Sequence, residues 1–277
     1  MKGLSAALGL VLVGAGCSLD PFFYTRETYA AYQLPAEGTS PEETVAASRI
    51  EPLSIRVDDQ VTLGAAYVRA AISPPRGYLI FFHGRSDALD KQFGRAKRLS
   101  NLGYDVLAFD YRGFGISTDV APTEAGVADD TRAVLATMRQ RAGSATPLIY
   151  YGHSFGTAAA TQRAQLDAPA ALILESTFGS IEEFKTDSTQ LDFPATFVMK
   201  DTWATSTRIK DIHAPLLMLH GLADDFVRPE FSKAVFANAN EPKQLVLVDG
   251  AGHGDVPEKL GAAFTTTVNG FIQAHVR

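Results

Sequence analysis

From about Leu53 onward the chain is written in short apolar runs that alternate with longer stretches of helical spacing. Leu53–Val57 and Val61–Val68 flank an Asp58-Asp59 turn, which predicts an antiparallel hairpin. Tyr78–Phe82 predicts a strand. Leu89, Phe93, Ala96 and Leu99 then recur on one helical face, with Gly103 placed to stop that helix. Val106–Phe109 is the next strand. Thr123 is placed to cap a helix that carries Val127, Val134, Leu135 and Met138. Leu148–Tyr151 predicts a strand, and an alanine-rich helix follows Ser154. Ala171–Leu174, Leu216–Leu219 and Leu245–Val248 complete the strands, and a last helix runs from about Pro257 through Val268, Phe271 and Ile272. Apolar strands separated by amphipathic helices imply a mostly parallel α/β sheet covered on both faces. The rhythm lapses between Ser176 and Ile212, where Phe178, Phe184, Phe193, Phe197 and Trp203 stand without a clear strand. That interval, 176–212, reads as a short lid inserted over the sheet.

The segment before this pattern has a different character. Met1-Lys2 precedes an uncharged stretch, and its apolar part, Leu4 to Gly16, is shorter than the roughly 18–20 residues that span a bilayer. Residues 1–16 therefore read as a signal peptide. Cys17, the only cysteine of the chain, follows Val13-Gly14-Ala15-Gly16, which resembles a bacterial lipoprotein signal, although Gly14 stands where that pattern prefers leucine. The alternative is an ordinary secretory signal that removes Cys17. The lipoprotein resemblance implies a lipidated Cys17 and a membrane-anchored protein in the bacterial cell envelope. It would face the periplasm, and Ser18 after the cysteine points to the outer membrane. Residues 17–50, with Pro21, Pro35, Gly38 and Pro41, read as a tether and an extended arm, and 51–277 as the main domain. One cysteine allows no intramolecular disulfide, so the fold has to rest on its core.

The chain has 277 residues, 46% hydrophobic and 20% charged, which suits one sizeable globular core. Its net charge of −6 argues against a nucleic-acid partner. No Cys/His or His-Glu-x-x-His pattern indicates a metal. The Gly113/Gly115 pair falls short of a dinucleotide fingerprint, so no cofactor is expected.

The chemistry is concentrated at Gly152-His153-Ser154-Phe155-Gly156. This G-x-S-x-G follows one predicted strand and opens one predicted helix, the context in which a serine on a sharp turn is presented as a nucleophile. The turn requires neighbours without bulk, and glycines at 152 and 156 provide them. A serine hydroxyl needs a base. His253, among the glycines of Asp249-Gly250-Ala251-Gly252-His253-Gly254 after the last strand, is the candidate. Asp224 and Asp225 both follow the preceding strand, and the spacing favours Asp224 as the acid that orients the imidazole, with Asp225 as a solvated turn residue or a cap. His220 closes a strand and reads as structural. His83 reads as a packed loop residue, His153 as the variable position of the turn, and His213 and His275 as solvated.

Four landmarks occur in order: Phe82-His83-Gly84, Asp110–Ser117 (Asp-Tyr-Arg-Gly-Phe-Gly-Ile-Ser), the G-x-S-x-G turn, and the Asp224/His253 pair. Together they resemble the α/β-hydrolase superfamily, specifically its single-domain serine hydrolases, over roughly residues 53–275. The resemblance implies an α/β-hydrolase fold and an oxyanion hole made by the backbone N–H groups of Arg85 and Phe155. Relatives often carry Asn-Ala where this chain has Arg85-Ser86. The implied activity is cleavage of small-molecule carboxylic esters or thioesters through an acyl-enzyme, by a monomer, and the short interval 176–212, which leaves the site open, predicts short to medium acyl chains. A peptidase or amidase of the same fold, and a non-catalytic lipoprotein that keeps the fold as a binding module, are the alternatives.

Overall fold

A computed structural model of the chain describes residues 24, 26–32, 34–183 and 200–276. Among these, the apolar runs form one sheet of 8 strands: β1 (Ile50–Arg56), β2 (Thr62–Val68), β3 (Gly77–Phe82), β4 (Tyr104–Phe109), β5 (Leu148–His153), β6 (Ala171–Glu175), β7 (Leu216–Gly221) and β8 (Lys243–Val248). Their order is β1-β2-β4-β3-β5-β6-β7-β8. β1 and β2 form the hairpin set by the aspartate turn, with Asp58 Oδ1 accepting the Gln60 and Val61 N–H groups. β2 also runs antiparallel to β4, and from β4 to β8 every neighbouring pair is parallel.

Parallel neighbours need crossovers, and helices supply them. The crossover helices are α1 (Leu89–Asn101), α2 (Glu124–Ala142), α3 (Phe155–Leu166), α4 (Thr205–Arg208) and α5 (Pro229–Asn238), and α6 (Val256–Leu260) and α7 (Ala262–His275) follow the last strand. The period of two along each central strand divides its side chains between two cores. Ile80, Phe82, Leu107, Tyr150, Leu172 and Met218 pack beneath α2, α3 and α5. Leu79, Phe81, Val106, Ile149, Ile173 and Leu219 pack beneath α1 and α7. β3 is covered on both faces, and each of its buried side chains contributes about 1.5–3 kcal/mol relative to exposure.

Local signals set the helix ends. Thr123 accepts the Gly126 N–H at 3.0 Å and caps α2. α1 has no capping side chain of its own; a strand-end carboxylate does the work instead, with Asp110 Oδ1 accepting the Leu89 N–H at 2.7 Å. Gly103, at φ +106°, follows the end of α1 and donates to Ser100. Two features depart from the sequence pattern. The terminal helix is two helices, broken at Gly261 with φ +54°. α5, which the pattern left unmarked, starts with Pro229 in its first turn and is held in place by Ser232 and Val235, both buried.

The arm before β1 packs on the domain. Tyr24 is buried among Phe114 and Phe155. Tyr29 donates its N–H to Gly115, Gly115 donates to Glu27, and Tyr32 hydrogen-bonds Asp110. Lys97 on α1 caps the carbonyls of Pro35 and Glu37. Cys17 and the rest of 1–23 lie outside the described residues, as do Phe184, Phe193 and Phe197 of the expected lid. No helix among the described residues is long and apolar enough to cross a membrane.

Candidate active site

Ser154, Asp224 and His253 follow the C-terminal ends of β5, β7 and β8, where an open parallel sheet gathers its ligand-binding loops. Between β5 and α3 the backbone reverses at Ser154, which has φ +54° and ψ −121°. That conformation is strained for a residue with a side chain, and strain of this sort clusters at functional sites. It persists because its surroundings permit no other path. The Ser154 N–H is held by the Glu175 carbonyl at 2.9 Å, and its carbonyl accepts the Thr157 N–H at 2.9 Å. A Cβ at 152 would lie 2.7 Å from the Gly156 carbonyl carbon. One at 156 would lie 2.7 Å from the His83 carbonyl oxygen and closer still to that of Phe82. The glycines of G-x-S-x-G are therefore steric necessities of this turn.

The turn aims Ser154 Oγ at His253, whose Nε2 lies 2.9 Å away. The other ring nitrogen, Nδ1, lies 2.9 Å from Asp224 Oδ2. Asp224 is buried and Asp225 is exposed, so the geometry separates two residues that the sequence only ranked. Asp224 Oδ1 accepts the Phe226 and Val227 N–H groups at 3.0 and 2.8 Å, and Oδ2 also faces His220 Nε2 at 3.3 Å. Burial pushes this carboxyl up, but the hydrogen bonds from His220, His253 and Val227 outweigh it and hold it well below the usual carboxylate range. An ionised carboxylate behind the imidazole places the Nδ1 proton, so Nε2 presents a lone pair to the serine. This arrangement can draw the proton from a serine hydroxyl and return it to a leaving group.

Residues 73–204 match the Hydrolase_4 family model, serine aminopeptidase, S33. An uncharacterized protein of Mycobacterium tuberculosis, Rv2307c, is 30% identical over 260 residues, covering 94% of this chain and 90% of its own. The chain belongs to the α/β-hydrolase superfamily. The hydrolase is also 32% identical over 187 residues to the lysophosphatidylserine lipase ABHD12 of Danio rerio, covering 60% of this chain and 48% of that one. Among solved structures, the Pyrococcus furiosus esterase Pf2001 shares the fold with a TM-score of 0.68 at 18% identity, over 91% of this chain and all of that one (100%).

In the hydrolase the loop after β3 lies against Ser154: a Cβ at Gly84 would sit 3.5 Å from the serine Cβ. Arg85 is the next residue of this loop and Phe155 opens α3 directly after Ser154. The loop is held by Gln92 of α1, which accepts the Gly84 N–H at 2.8 Å and donates to the Ser86 carbonyl at 2.6 Å. The Arg85 guanidinium lies 5.3 Å over the Phe226 ring, which in turn meets the His253 ring at 4.8 Å. His83 is fully buried, with Nδ1 2.7 Å from the Gly84 carbonyl and Nε2 3.3 Å from Asp110.

The described parts of the interval 176–212 are packed inward. Phe178 and Trp203 both join the main core, and Trp203 meets Phe155 edge-on at 4.7 Å. Glu124, at the start of α2, ties this segment down by accepting the Thr202 N–H at 2.8 Å and pairing with Arg208. Sequence reasoning missed Gln92, Glu124 and Glu175, because each is one polar residue inside an otherwise ordinary element. His220, which the sequence marks as structural, is the penultimate residue of β7. It is fully buried, and it also touches Asp224.

Proposed function

We propose that the protein is a serine hydrolase that cleaves carboxylic esters or thioesters of short to medium acyl chain. The observation that carries this reading is the unbroken relay from Ser154 Oγ to His253 Nε2 and from His253 Nδ1 to Asp224, each step 2.9 Å long. Ser154 attacks the substrate carbonyl while His253 takes its proton. Asp224 stabilises the imidazolium. The N–H groups of Arg85 and Phe155 receive the oxyanion, the second from the start of a helix, where the dipole adds positive potential. His253 then protonates the leaving alcohol or thiol, leaving an acyl group on Ser154 for water to remove. The esterase and lipase names among the similar proteins support an ester substrate, and the serine aminopeptidase name of the family model keeps an amide as the second reading. The shortness of the interval 176–212, whose described aromatics Phe178 and Trp203 are buried in the core, supports small acyl groups over long ones. The enzyme acts as a monomer, anchored through a lipidated Cys17 to the envelope membrane with its domain in the periplasm.

A fluorophosphonate probe and a p-nitrophenyl ester series from acetyl to palmitoyl test this reading. Labelling should vanish in Ser154→Ala, and kcat/KM should be highest at short to medium chains. Full labelling of Ser154→Ala would remove the nucleophile assignment. A steep rise to palmitoyl would overturn the chain-length reading, and faster cleavage of an alanyl p-nitroanilide than of any ester would make the protein a peptidase.

A further inference from the structure

His253 sits in the loop Gly250-Ala251-Gly252-His253-Gly254. A glycine-rich loop has the largest conformational freedom to lose. Around Gly250 and Gly254 there is open space where a side chain would be, so these two glycines bring no packing of their own, whereas Ala251 between them is buried in the core and the Gly252 N–H is held by Asp255 Oδ1 at 2.6 Å. Yet His253 has to keep two ring nitrogens on two partners at once. At His253 and Gly254 the restraint comes from outside the loop.

Three side chains converge on two consecutive carbonyls. His153 Nε2 lies 3.2 Å and Ser176 Oγ 3.3 Å from the His253 carbonyl oxygen, and Arg95 Nη2 donates to the Gly254 carbonyl at 2.9 Å. They come from the nucleophile turn, the end of β6 and α1. Glu175, which is fully buried, lies beside all three and is the strand partner of His153. It accepts Arg95 through Nε at 3.1 Å and Nη2 at 2.8 Å, and the Tyr151 hydroxyl at 2.5 Å, and it directly precedes Ser176. Its own carbonyl holds the Ser154 N–H. One residue thus ties the nucleophile's backbone to the base's backbone. Ser176 is held at φ +55°, a second strained residue beside the strained Ser154, and this conformation goes with the hydroxyl's approach to His253. The His253 carbonyl only accepts, so His153 carries its proton on Nε2.

We propose that Arg95, His153 and Ser176, organised by Glu175, are positioning residues for the general base: they clamp the His253-Gly254 main chain so that Nε2 stays on the Ser154 hydroxyl. The proposal rests on His253 being the base of a serine hydrolase. None of the four has to touch substrate, so their loss should lower kcat and leave KM in place. Burial, and then the nearby Arg95 charge, push His153 down to about 3. It is therefore neutral and does not oppose a charged His253, whose ring centroid is 5.4 Å away.

The test uses full-length Arg95→Ala, Arg95→Lys and Ser176→Ala, with thermal melts as the control for folding. Two readouts are taken: kcat and KM on a p-nitrophenyl ester, and the downfield proton resonance of the His253–Asp224 hydrogen bond. Arg95→Ala should lose on the order of 10²-fold in kcat at constant KM, the loss that a misplacement of about 1 Å brings, and its downfield resonance should broaden. Arg95→Lys should recover part of both, and Ser176→Ala should lose several-fold in kcat while melting near wild type. A folded Arg95→Ala with unchanged kcat and resonance would overturn the proposal. Should Arg95→Ala not fold, wild-type kcat in both Arg95→Lys and Ser176→Ala overturns it instead. The resonance reports the His253 geometry whatever the substrate is, and probe labelling of Ser154 tests the hydrolase reading separately.

Discussion

Replacing Asp224 by asparagine changes one atom and reverses the local hydrogen-bond logic. The carboxylate is surrounded by donors alone: two backbone N–H groups on Oδ1, and His253 Nδ1 with His220 Nε2 on Oδ2. An amide has one acceptor and one NH₂ group, so whichever way it turns, an N–H confronts N–H groups. With the oxygen kept on the two backbone donors, the NH₂ faces His253 and favours the tautomer whose proton is on Nε2. That proton points at Ser154 and removes the lone pair that has to accept the serine's own. A wrong-tautomer histidine costs about 10⁴-fold in kcat, or about 5.5 kcal/mol of transition-state stabilisation. The buried mismatch should also lower folding stability by about 1–3 kcal/mol. Asp225→Asn, at an exposed position, should change kcat by no more than about threefold. The assay is steady-state hydrolysis of p-nitrophenyl acetate by both variants, with urea melts to confirm folding. Equal losses, or a larger loss in Asp225→Asn, would refute the reasoning and reassign the acid.

Gly156→Ala should lose about 1–3 kcal/mol or more, together with activity, because the new methyl meets the Phe82 and His83 backbone and neither can move without displacing the loop beside Ser154; wild-type stability in a denaturant melt would contradict the steric argument. Stability should fall on acidification in two stages. His153 takes its proton near 6.5 when unfolded but only near 3 when folded, so its contribution is complete above 6.5 and is lost toward 3, at up to about 1.4 kcal/mol per pH unit. Glu175, which burial would raise but the Arg95 charge holds at about 2, adds a second loss from about 4.5 downward, so His153→Gln melted across this range should keep only the lower stage. Cys17→Ser should move the mature protein out of the detergent phase or leave it unprocessed; an unmodified N-terminus at another residue, found by mass spectrometry, would reject lipidation.

Much of the fold was legible because it rests on short-range patterns. Runs such as Tyr78–Phe82 are apolar at every position, as strands covered on both faces must be, and Thr123 and Gly103 mark helix ends with local chemistry. The nucleophile turn was legible for a similar reason, since the clash that excludes a side chain at 156 is set by the strand-turn-helix geometry itself. α5 escaped notice because its inward face depends on Ser232, a polar residue that serves as core only where His220 and Thr177 meet it. The break at Gly261 was hidden inside a continuous apolar rhythm.

What the sequence determined by itself was the order of the elements and the candidates for the chemistry: a serine between glycines, a histidine in a glycine loop, and a pair of adjacent aspartates. Which aspartate faces the histidine was decided by the tertiary structure, because adjacent residues on a turn point in different directions and only packing buries one of them. The ties that hold the site were likewise settled only in three dimensions. Arg95 and Glu175 are 80 residues apart and Arg95 and Gly254 are 159 apart. Such pairs leave no periodicity to read, since a buried ion pair is defined by the distance and dielectric between its charges, and those exist only once the sheet has brought β6, α1 and the loop after β8 together.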